Sequence, residues 1–168
     1  KNRQNKNVVQ VFQQILGAKE LYLKQDRYGV MRPAKNHPEW RTDASWLHTD
    51  QPLIYENFWG VQGMIALSDQ TLESGGFCCV PGFHLEWKEW TQKQSALYPK
   101  KTTNAPFYIE GDESDILRKR LTQILMPRGS LVIWDSRLPH QNYPNNSATE
   151  FRIVQYVTFW AVTKLEEA

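Results

Sequence analysis

The sequence predicts a mainly β fold, a sandwich or barrel with flanking helices. Three observations carry this. From Trp46 onward the chain falls into short apolar runs parted by turns such as Glu73-Ser74-Gly75-Gly76 and Pro81-Gly82. Clear helical periodicity is confined to residues 8–23 and 112–126. Finally, 151–163 alternates with apolar residues on both faces, as in a strand covered on both sides.

In chain order, Val8, Val9, Phe12, Ile15, Leu16 and Leu21 set an amphipathic N-terminal helix over 8–23, with a break near Gly17. Residues 26–45 read as loop with a short strand at Tyr28–Met31. Strands follow at Trp46–Asp50, Phe58–Ser68 and Phe77–Val80. A short helix fits 85–92, within a largely irregular stretch that reaches 110. A longer helix is expected from Asp112 to Met126, capped by Asp112 or Ser114 and ended by Pro127-Arg128-Gly129. Strands at Leu131–Asp135 and Phe151–Thr163 are joined by a turn-rich loop, 141–149.

The 168 residues suit one domain. A net charge of +2, with basic residues scattered, argues against nucleic acid. No apolar run approaches 18 residues, which argues against a membrane span. Cys78 and Cys79 are neighbours on a strand and point to opposite faces, so no disulfide is expected between them. An intracellular, cytoplasmic location follows as an expectation, with the sequon at Asn145 unmodified.

The chemistry lies in three places. In His48-Thr49-Asp50, residues i and i+2 share a strand face, so one imidazole and one carboxylate can reach one metal. His140, just past the strand 131–135, adds a second imidazole. Two histidines and a carboxylate leave three positions open on octahedral iron(II), whereas structural zinc closes its shell and usually recruits Cys. Twelve residues after His140, Arg152 falls on a strand covered on both sides. A buried guanidinium needs an anion, and Glu150 and Asp135 are the only nearby acids; a dicarboxylate co-substrate is the alternative partner. Gln62, on the strand 58–68, can face that co-substrate or be structural.

These segments, with Trp46-Leu-His-Thr-Asp50, Val61 to Asp69, Glu73 to His84, Gly129 to Asp135 and His140 to Arg152, resemble the phytanoyl-CoA dioxygenase family of iron(II)/2-oxoglutarate oxygenases. The resemblance spans 46–160. It implies a double-stranded β-helix (jelly-roll, cupin-like), one domain over 1–168 with its core at 46–163, and a small-molecule substrate. It implies iron(II) on His48, Asp50 and His140, and 2-oxoglutarate held by Arg152. It also implies use of O2, with ascorbate as a supporting reductant, and hydroxylation of a C–H bond with release of succinate and CO2. Asn142 stands where the family often places a hydroxyl residue that assists the distal carboxylate. A carboxylate at Asp50 favours hydroxylation over halogenation, which in related enzymes goes with a small residue there. Phe83 and Met64 depart from the family pattern, and the chain is short before His48.

Two other readings fit the same residues: a cupin-type metal enzyme without 2-oxoglutarate, and a non-catalytic binding module on the same barrel. Residues 86–110, with Trp87, Trp90, Tyr98, Phe107 and Tyr108, read either as a lid over the site or as an excursion packed on the barrel.

Overall fold

A computed structural model describes residues 2–101 and 103–162. The elements run α1 (Lys6–Leu16), β1 (Leu21–Lys24), β2 (Tyr28–Met31), β3 (His48–Thr49), β4 (Val61–Ala66), β5 (Gly76–Cys79), α2 (Trp87–Leu97), β6 (Phe107–Tyr108), α3 (Gly111–Arg118), β7 (Thr122–Gln123), β8 (Leu131–Asp135), β9 (His140–Tyr143) and β10 (Arg152–Ala161). Two antiparallel five-stranded sheets face each other. One is ordered β1-β10-β4-β8, with β2 also on β10; the other is β6-β3-β9-β5-β7. The fold is a double-stranded β-helix, as the family resemblance implies. No described helix is long and apolar enough to cross a membrane.

Strand alternation sorts β10 into two faces. Val157 and Phe159 look outward and pack with Phe12 of α1, Val61 and Ile65. Val154 looks inward against Phe77, Trp134 and Met64. Arg152, Tyr156, Thr158 and Trp160 share the inward face by their even spacing from Val154.

Several boundaries differ from expectation. Helix α1 stops at Leu16, where Gly17 takes the left-handed conformation at φ 63° and closes the last turn onto the Gln13 carbonyl. The remainder of 8–23 contains β1, whose Leu21 and Leu23 pack in the α1 cluster. The helix expected over Asp112–Met126 is half that length. Leu117 belongs to one core cluster and Met126 to another, and no single straight helix serves both. Instead, Thr122 and Gln123 pair with Cys79 and Cys78. The loop expected at 141–149 begins as a strand, β9, whose polar residues conceal it. The strand expected at 58–68 is trimmed to Val61–Ala66. Thr163 lies outside the described residues.

Residues 86–110 are scaffold for the most part. Trp87 and Trp90 of α2, with Phe107, form a core cluster with Leu47, Leu53, Val80 and Phe83. Trp87 donates its indole N–H to the Tyr55 carbonyl at 2.9 Å.

Candidate metal centre

His48 and His140 are Cα partners between β3 and β9, which aims both side chains into the space between the sheets. Each ring is fixed from behind by its own chain. His48 Nδ1 lies 3.0 Å from the carbonyl of Trp46, and His140 Nδ1 lies 2.9 Å from that of Leu138. A carbonyl only accepts, so each Nδ1 carries the hydrogen and each Nε2 keeps its lone pair. Asp50 closes the set, with Oδ1 3.5 Å from His48 Nε2 and Oδ2 3.3 Å from His140 Nε2. One ligand atom from each residue lies within 4.8 Å of the others.

Burial keeps the lone pair of the His140 nitrogen free. It pushes His140 down to about 4, against the pull of the Asp50 carboxylate, so the ring is neutral near pH 7. Burial also works to raise Asp50, but His140, His48 and Trp134 outweigh it and hold the carboxyl below its usual range. Two imidazole nitrogens and one carboxylate, all buried, fit a divalent iron. Trp134 donates its indole N–H to Asp50 Oδ2 at 3.1 Å. Of the tryptophans near the site in sequence, Trp46 lies beside His48 with ring centroids 5.1 Å apart, and Trp59 lines the adjoining cavity.

Arg152 is fully buried. Its Nη2 donates to Asn142 Oδ1 at 2.5 Å and its Nη1 to the Tyr143 carbonyl at 3.4 Å. Neither acid suggested by the sequence pairs with it. Asp135 is taken by Arg137, and Glu150 is exposed at the start of the strand. Its Nε has no partner among the described residues, and burial lowers its affinity for its own proton. Among the described residues no carboxylate pairs with this buried charge, and its hydrogen-bond partners are neutral.

The remaining expected residues divide. Asn142 contacts Arg152 through its oxygen and donates Nδ2 to the Tyr156 hydroxyl at 3.2 Å, so it orients the guanidinium instead of presenting a hydroxyl. Gln62 lines a cavity of about 150 Å³ beside Asp50, together with Trp59, Ser136, Thr158 and Trp160. Sequence reasoning missed Tyr156, although it stands four residues after Arg152 on the same strand face.

A family model for phytanoyl-CoA dioxygenase (PhyH) matches residues 2–154. The chain belongs to the PhyH family. A Dictyostelium discoideum protein with a provisional phytanoyl-CoA dioxygenase name is 27% identical over 188 residues, covering 93% of this chain and 52% of the relative. Among solved structures, the PhyH chain is similar to SnoK, a non-heme alpha-ketoglutarate-dependent carbocyclase from nogalamycin biosynthesis. The TM-score is 0.61 and the identity 20%, over 90% of this chain and 53% of that one. EctD from S. alaskensis with bound Fe matches at TM-score 0.63 and 16% identity, over 93% and 50%. At these identities the likeness is one of fold. The chain spans about half the length of these relatives.

Proposed function

We propose that this PhyH chain is an iron(II)- and 2-oxoglutarate-dependent dioxygenase domain, spanning 1–168, that hydroxylates a C–H bond of a small-molecule metabolite with release of succinate and CO2. One observation carries the reading. His48 Nε2, His140 Nε2 and the Asp50 carboxylate converge while both Nδ1 atoms are already engaged by backbone carbonyls. These three residues would hold iron(II), and a two-histidine, one-carboxylate set would leave room for co-substrate and oxygen. Bound iron, with 2-oxoglutarate and O2, supplies the oxidising chemistry.

The chain supplies position and dryness. Arg152 takes the distal carboxylate of 2-oxoglutarate through its free Nε edge, and Asn142 fixes the plane of the guanidinium. The Tyr156 hydroxyl accepts from Asn142, so its own proton is available to the same carboxylate. Trp134 holds Asp50 in orientation. Gln62 lines the cavity beside Asp50. A buried guanidinium with no carboxylate partner among the described residues favours this reading over a cupin-type enzyme that does without 2-oxoglutarate. S. alaskensis EctD, solved with 2-oxoglutarate and 5-hydroxyectoine, is a precedent on the same fold.

The test is succinate release with iron, ascorbate and 2-oxoglutarate over a metabolite panel. Release above the His140→Ala background supports the proposal. Iron binding without any succinate would turn the reading to an enzyme of another kind or to a binding module.

A further inference from the structure

The cavity beside Asp50 has a directional lining. Trp134 and Gln62 are Cα partners on β8 and β4. The Val157–Gly63 register, continued by one residue, sets Thr158 opposite Gln62, and Thr158 is itself the partner of Lys24 on β1. Directly opposed residues of an antiparallel ladder share a face. Trp134, Gln62, Thr158 and Lys24 therefore form one row across the inner face, from the side chain that holds Asp50 to the edge of the sheet. At about 4.8 Å per strand the row is roughly 14 Å long at backbone level.

Lys24 ends the row at the exposed edge of the sheet. Its ammonium lies 6.0 Å from the centroid of the Trp160 ring, and no carboxylate pairs with it among the described residues. The Asp26 carboxylate is held by neutral donors: Oδ2 accepts from the Thr158 hydroxyl at 3.2 Å and Oδ1 from the Arg27 N–H at 2.8 Å. In the same cavity, Trp59 and Trp160 meet edge to face at 89° with centroids 4.3 Å apart, and Tyr55 stacks on Trp59. That corner offers two flat apolar walls. The volume, about 150 Å³, matches that of a cavity able to hold one benzene ring.

We infer that this cavity takes a small anionic molecule. Its carboxylate or phosphate meets Lys24, its ring-sized apolar body lies in the Trp59–Trp160 corner, and a carbon several bonds from the anionic group is presented beside Asp50. The inference rests on the proposed function for its reaction but not for its binding geometry, so the two are tested apart.

The protein is loaded with zinc(II), which does no redox chemistry, and titrated calorimetrically with 2-oxoglutarate. This step alone examines the co-substrate reading. With 2-oxoglutarate saturating, so that Arg152 is occupied, three probes follow: 4-phenylbutyrate, its neutral amide, and 3-phenylpropyl phosphate. At least one anionic probe should bind tenfold or more tighter than the amide. Lys24→Gln should bring that anion down to the affinity of the amide while 2-oxoglutarate affinity holds. Trp160→Ala should weaken acid and amide alike. The ranking of carboxylate against phosphate then names the head group. Equal binding of acid, phosphate and amide would overturn the inference. So would an anion affinity unchanged in Lys24→Gln, or failure of all three probes to bind. If 2-oxoglutarate itself does not bind, the proposed function falls, and the probe series on the zinc form still decides the cavity.

Discussion

His48 and His140 face each other as Cα partners, with ring centroids 4.3 Å apart, across strands that meet at this pair. β3 is only two residues long. A metal shared by these rings and Asp50 would therefore also join two strands far apart in sequence.

Each of His48→Ala, Asp50→Ala and His140→Ala is expected to abolish iron binding and 2-oxoglutarate turnover while the far-ultraviolet circular dichroism is kept. Divalent metal should raise the Tm of the parent protein and leave that of the variants unmoved, because a ligand bound by the folded state alone stabilises it. Turnover at the parent level in any one variant would sink the ligand assignment.

Arg152→Lys keeps the charge but loses the fork. Charge-assisted contacts are worth about 1.5–3 kcal/mol. The KM for 2-oxoglutarate should then rise roughly tenfold to a hundredfold. Tyr156→Phe should raise it by less, without loss of iron. An unmoved KM in Arg152→Lys would make the guanidinium purely structural.

Trp134→Phe retains a ring beside Phe77 and His140 but removes the N–H that Asp50 accepts. Metal affinity is expected to fall by about 10–100-fold, the range typical of such outer contacts. Competition against a metal-indicator dye measures this directly, and an unchanged affinity would refute the role.

The metal-free protein should weaken in mild acid. His140 sits at about 4 in the fold against an ordinary 6.5, so between those values the unfolded chain binds a proton that the folded chain does not. Stability is thus complete above about pH 6.5 and declines as the pH falls toward about 4. Urea unfolding at pH 7.5 and 5 should show the decline, and His140→Asn should flatten it. Identical slopes in parent and variant would contradict the assignment to His140.

Trp87→Ala tests whether the segment 86–110 is framework. The side chain is fully buried and its N–H is bonded. Removal should destabilise by about 3–5 kcal/mol. A loss under 1 kcal/mol in chemical denaturation would restore the view of this segment as a lid.

Strand spacing suggests the pairing of His48 with Asp50 and the burial of Arg152, while the joining of His140 to them as a metal set rests on the likeness to the phytanoyl-CoA dioxygenase family. His48 and Asp50 sit two apart, and Arg152 falls on a strand apolar on both sides. β2 and β8 are equally legible, since their runs end at clear turns. β9 is not. Gln141 and Asn142 look like loop residues until their partners, Arg118 and Arg152, are known, and those partners come from distant segments. The C-terminal half of the expected 112–126 helix fails for a related reason. Its apolar spacing is compatible with a helix, but pairing with β5 lies outside any local pattern. The roles of Tyr156 and Lys24 depend on register between strands, which periodicity within one strand does not encode.

β10 carries Arg152, the proposed co-substrate anchor, with the Tyr156 hydroxyl and, at the cavity, Thr158 and Trp160, all on one face of a single ten-residue strand. A strand's side chains reverse faces with a shift of one residue. One codon inserted or deleted inside this strand would therefore turn every functional side chain beyond it toward α1 and bring Val157 and Phe159 into the catalytic space. Insertions in the loop from Pro144 to Glu150 would leave that pattern untouched. Among descendants of this gene, length variation should accumulate before Arg152 and be purged after it.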